Sequence, residues 1–188
     1  MLIPILPRAQ SVLRACLLFG ILALFAAAPA STAKAGGVLY AAPQASGTGD
    51  CYSWSNACSL QLALFKAAAG DQIWVKQGVH YPATAGGVAI SFDMKDGVAI
   101  YGGFAGDESA LEQRDPALHT TILSGDIDQN DTNLDGNFIA ETTADLIGAN
   151  SFHVVTGFNL SDSAVLDGFM INAGKAAGGN TLDRGAGL

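Results

Sequence analysis

The sequence predicts an all-β fold, a parallel β-solenoid sealed at its starting end by an α-helix. Three observations predict it. Residues 71–106 alternate short β-branched and aromatic runs (Ile73-Trp74-Val75, Val88-Ala89-Ile90, Val98-Ala99-Ile100-Tyr101) with glycine-bearing corners. Taking Trp74, Ala99 and Ile122 as strand centres gives spacings in the twenties, which suit stacked coils rising about 4.8 Å each. An amphipathic helical segment immediately precedes the first of these strands. A doubly wound α/β fold is disfavoured, because no amphipathic helices of normal length separate the strands.

The chain of 188 residues opens with Arg8, Arg14 and the apolar run 15–28, followed by small residues. This pattern reads as a secretory signal peptide over residues 1–35, with Ala33-Lys34-Ala35 as the cleavage site before Gly36 and Ala28-Pro29-Ala30 as a second candidate. The run is shorter than the ~20 apolar residues that span a bilayer. A buried helix is the alternative. Residues 36–70 form an N-terminal cap. Gly37 to Ala41 make one short strand, and the Gly/Ser/Thr-rich stretch 43–56 is a loop. In the helix that follows, Ser59 is the N-cap, Leu60, Ala63, Leu64 and Ala67 share a face, and Gly70 is the stop. Leu62 and Phe65 fall off that stripe, so cover on a second side is expected.

The cap has a physical task. The end of a stack of coils exposes its apolar interior and a row of unpaired strand edges, and both need a lid. Trp54 is expected to pack on this lid; an exposed, sugar-stacking Trp54 is the competing view. Cys51 and Cys58 survive processing, and in an oxidising compartment their spacing predicts a local disulfide contributing about 2–3 kcal/mol. Two buried thiols are the alternative.

Residues 71–188 form the coils. Phe152-His153-Val154-Val155 is the next strong strand after Ile122, with an acidic loop in between. Ala164-Val165-Leu166 and Phe169-Met170-Ile171 follow, bracketing Asp167-Gly168. The chain reaches Leu188 in glycine-rich sequence without a cap-like helix, which predicts truncation at the C-terminus. The formal net charge is −8, and loss of the signal would remove Arg8, Arg14 and Lys34 and leave the rest more acidic. Such a surface repels nucleic acid and anionic lipid.

These residues also carry a resemblance. SWSNACSLQLALFKAAAGDQIWVKQGVHYPA resembles the cap and first coil of secreted right-handed parallel β-helix proteins of the pectin-lyase-like type. AIYGGFAGDES, TTILSGDIDQND, NSFHVVTG and AVLDGFMINAG resemble segments of a bacterial surface subset with polymorphic-outer-membrane-protein-like repeats. The likeness spans residues 40–188. It implies a right-handed β-helix and is weak for activity, since the group holds lyases, hydrolases, adhesins and proteins of no known reaction.

The best site candidate is the acidic loop 125–137. Asp131, Asn133, Asp135 and Gly136 satisfy the D-x-N-x-D-G opening of a calcium loop, in which alternate oxygens wrap a hard cation. The twelfth position is Thr142 rather than Glu, with Glu141 one place early, so this is not a standard EF-hand. Asp126 and Asp128, on one face if that stretch is extended, complete the candidate set for calcium. The alternative is a turn cluster whose Asp and Asn side chains bond local backbone. Carboxylate pairs for glycoside hydrolysis are Asp126 with Asp128, or Asp93 with Asp96. For a lyase, the resemblance implies an Arg or Lys base beside calcium-binding carboxylates; the arginines after residue 35 are Arg114 and Arg184, both in apparent loops, and Lys76 sits at a strand end. His80, His119 and His153 have no metal-ligand spacing. The glycines between Tyr101 and Gly106 are expected at solenoid corners.

The expectation that follows is a non-catalytic, secreted or cell-surface scaffold for adhesion or carbohydrate binding. Its partners would be extracellular polysaccharide or a host or cell surface, with calcium as cofactor. Membrane contact is expected only through an outer-membrane anchor downstream. The alternative is a polysaccharide lyase or glycoside hydrolase.

Overall fold

A computed structural model describes residues 36–83 and 87–176. The described residues fall within one compact unit. The signal-peptide reading of residues 1–35, Arg184 and the glycine-rich end lie outside the described residues. Among the described residues no helix is long and apolar enough to cross a membrane.

The described residues are mostly strands in parallel sheets, with little helix. β1 (Val38–Ala41), β2 (Gln72–Lys76), β5 (Ala99–Phe104) and β8 (Val165–Asp167) lie in that order in the first sheet. β3 (Gly78–His80), β6 (Thr121–Ser124) and β9 (Met170–Asn172) form the second, and β4 (Phe92–Met94) pairs with β7 (Val155–Gly157) in the third. Every pairing between these strands is parallel. From β2 onward the chain visits the first, second and third sheets in turn, and then repeats the circuit.

Register aligns like with like. Leu39, Ile73, Ile100 and Leu166 face one another across the first sheet. Together with Val75, Val98, Phe92, Leu123 and Val154 they build the interior. The lid is α1 (Leu60–Lys66), whose N-cap Ser59 accepts a hydrogen bond from the Leu62 N–H through its side chain. Leu60, Ala63 and Leu64 are buried, Ala67 follows them inward, and the helix packs on β1, β2 and β4. The disulfide Cys51–Cys58 is formed, and Cys58 is tied to β1 through the Tyr40 carbonyl.

Several sequence expectations need correction. The helix ends at Lys66 rather than Gly70, because Ala67 turns extended at φ −60°, ψ 141°. Phe65 stands 80 % exposed, so the off-stripe positions are not covered among the described residues. Trp54 packs against the first sheet. Its ring lies against Tyr40 and Phe104, with Trp74 stacked on Phe104 behind, an aromatic layer on the outer side of the first sheet. Its Nε1–H donates to the Glu108 carbonyl. Trp74 thus points outward from a strand whose three central residues are all buried, which an alternation rule read as one apolar run could not show.

Val88-Ala89-Ile90 is not a strand; Ala89 and Ile90 are exposed in a turn, and β4 begins at Phe92. Tyr101 to Phe104 is strand rather than corner. Gly102 sits inside β5, and only Gly103 takes a positive φ of 94° there. An added Cβ at Gly103 would come within 2.7 Å of the Pro116 backbone nitrogen, so this crossing closes only on glycine. The spacing used to find the repeat also shifts, because Tyr101 faces Trp74 and Ile122 faces Val79 in the second sheet. Phe152 to Val154 precede β7 rather than lie in it.

Candidate functional site

Between β6 and β7 the chain leaves the sheets as a long loop. Its neck is closed by an antiparallel bridge between Asp126 and Asn150, with the Ile127 N–H donating to the Ala149 carbonyl. Ala140, Leu146 and Ala173 form a small apolar cluster of their own beneath it.

The acidic residues explain how so polar a loop keeps one shape. Asp126 accepts from the N–H groups of Asn130 and Asp131, and Asp128 from that of Ala149. Asp131 accepts from the Ile147 N–H and the Asn150 side-chain amide. Asn133 receives the Phe138 N–H, and Asp135 the Asn137 N–H. Backbone donors that have no sheet partner are thereby satisfied by side-chain oxygens. Of the five residues named for calcium, Asp126, Asp128 and Asp131 come together, Asn133 lines one pocket with Asp126 and Asp131, and Asp135 serves a turn of its own. Calcium takes six to eight oxygens, and among the described residues no three His, Cys, Asp or Glu side chains form a group that could hold a metal. Thermal unfolding tests the calcium expectation: a midpoint raised by millimolar calcium and lowered by EDTA supports it, and an unchanged midpoint removes it.

Burial, above all, pushes the Asp131 carboxyl up, with the charges of Asp126 and Asp128 adding to the effect against the hydrogen bonds from Ile147 and Asn150. Tyr81 faces the same cluster, and its phenol is also raised, first by burial and then by Asp126 and Asp131. It stays a neutral hydroxyl.

The loop walls off a hollow that sequence reading alone did not reveal. A pocket of about 280 Å³ holds Tyr81, Asp126, Asp131 and Asn133. Through Tyr81, Gln129, Phe138 and Ile139 it opens into a groove of about 910 Å³ along the second sheet. The floor of that groove is a register row, Val79 on β3, Ile122 on β6 and Met170 on β9. The only sequence signal for it was the alternation within each short strand. Which strands would align could not be read.

The other candidates are occupied elsewhere. Asp93 accepts from Ser91 and Thr156 across the third sheet, and Asp96 from the Ser161 N–H and hydroxyl. Arg114 pairs with Asp167, donates to the Gly102 carbonyl and lies 5.1 Å over the Tyr101 ring. His80 donates from Nε2 to the Lys76 carbonyl at 2.8 Å, while His119 Nδ1 bonds the Gln77 side chain. No protein-family model matches this chain, and no curated protein or solved structure matches it either.

Proposed function

We propose that the chain is an exported right-handed parallel β-helix that works as a non-catalytic scaffold binding carbohydrate outside the cell. The observation that carries this reading is the groove along the second sheet, whose floor is an in-register ladder and whose wall is the hydrogen-bonded acidic loop. Support for the fold comes from the ordered circuit through three parallel sheets and from the helical lid. Support for export comes from the basic and apolar opening residues and from the disulfide. The resemblance to pectin-lyase-like surface proteins points the same way.

A second reading, a glycoside hydrolase, draws on one observation: Asp131, with its carboxyl pushed up by burial, sits beside Asp126 in a pocket that opens into the groove. Two neighbouring carboxyls, one of them raised, are what glycoside cleavage requires. One assay separates the two. The purified chain is incubated with insoluble and soluble polysaccharides, and both retention and reducing ends are measured. Retention without new reducing ends is the expected result. Product release that disappears in Asp131→Asn would overturn the scaffold reading.

A further inference from the structure

The groove along the second sheet selects its ligand by what it leaves out. No residue lining it carries a formal charge, although the chain bears a net charge of −8. An anionic polymer would be repelled at long range and would meet no cation in the groove at short range. We propose that the groove takes an uncharged polysaccharide chain laid across β3, β6 and β9, in preference to a uronate polymer. This rests on the carbohydrate-binding reading above and names the class of sugar.

The lining suits hydroxyl-rich rings. Val79, Ile122 and Met170 offer an apolar floor to sugar C–H faces, on strands about 4.8 Å apart. Gln44, Gln129 and Asn137 border it with carboxamides, each both donor and acceptor. Tyr81 adds a hydroxyl where the groove meets the acidic pocket. A peptide adding itself as a strand would need a free sheet edge, whereas this floor is a sheet face.

Phe138 is the second observation. Its ring is 55 % exposed and borders both the groove and the pocket. Its backbone is held at φ 63°, a left-handed conformation that bulky residues rarely adopt. Asn133 accepts its N–H at 3.0 Å, and the Asn172 side-chain amide donates to its carbonyl. Strain of this kind persists where the surroundings over-determine it and tends to mark ligand clamps. An aromatic ring kept in the open at that cost is placed to stack on a sugar.

Phe138→Gly tests the idea cleanly, since glycine accepts the same backbone without strain and the fold should keep its melting temperature. The full chain and this variant would be run in affinity electrophoresis against a neutral arabinoxylan, a neutral galactomannan, polygalacturonate and alginate. Expected are retardation by a neutral polymer, indifference to salt between roughly 50 and 500 mM, and a loss of about tenfold or more in Phe138→Gly. Gln129→Gly should weaken the same interaction. Retardation by a uronate polymer that Phe138→Gly leaves unchanged would overturn this inference while sparing the carbohydrate reading. Retardation by none of the four would overturn both. Capture of an extended peptide that Phe138→Gly abolishes would also overturn it, since the groove would then belong to protein.

Discussion

Ile73→Ala is expected to lower the free energy of unfolding by about 2–5 kcal/mol. Ile73 is fully buried in β2, itself paired on both sides, by β1 and by β5. Its row runs Leu39, Ile73, Ile100 and Leu166, one residue from each strand of the first sheet. Deleting three carbons there removes contacts to two neighbouring strands and to the interior beneath. The strands cannot close the gap without shifting register, and a one-residue shift would turn Ile73 and Val75 outward. The cost should therefore sit in the upper part of that range. Denaturant unfolding checks it, with Phe65→Ala as the control, since that ring is 80 % exposed on the outer face of the lid and should change stability by less than about 0.5 kcal/mol. Equal losses in the two variants would mean that the ladder is not the core.

How far such elements could be read in advance depended on how local their causes are. The lid was legible because its signals are adjacent: Ser59 caps, and Leu60, Ala63, Leu64 and Ala67 repeat on one face. β2, β8 and β9 were legible because their apolar runs end at turns. Val88 to Ile90 misled because β-branched residues beside glycine satisfy the same pattern whether or not a partner strand lies alongside. Here the partner, β7, aligns with Phe92 instead. Trp74, Ala99 and Ile122 are not register partners, since a circuit through three sheets places each residue opposite one in the neighbouring strand of its own sheet. A fixed spacing cannot tell which sheet a strand enters. The acidic loop was visible as a cluster, and both of its readings were available. Only the positions of Ala149, Ile147 and Phe138 show that its oxygens meet backbone N–H groups. The groove was illegible, because it is made by residues from Gln44 to Met170 that meet only when the strands align.

Mild acid is expected to weaken the fold through a single histidine. His80 is 3 % exposed, next to the core residue Leu123 across the β3–β6 pairing. Its Nε2–H donates to the Lys76 carbonyl, which can only accept, so the neutral tautomer is fixed. Burial lowers its pKa from 6.5 to about 4, against the opposing pull of that hydrogen bond. Between those two values the unfolded chain takes up a proton that the folded chain refuses. Stability is then complete above pH 6.5 and falls as the pH drops toward 4, by about 1.4 kcal/mol per unit and about 3 kcal/mol in all. Asp131, whose carboxyl is raised, opposes this in the lower part of the window by gaining a proton in the fold first. Asp50 and Asp96, lowered by the hydrogen bonds they accept, withdraw their contribution only as the pH falls below the ordinary carboxylate range. Unfolding by urea at a series of pH values separates these. His80→Gln keeps an amide donor for the Lys76 carbonyl but has no proton to gain, so its stability should be nearly flat from pH 7 to 5 while the parent declines. A parent profile as flat as that of the variant over the same range would show that His80 is not held neutral by burial.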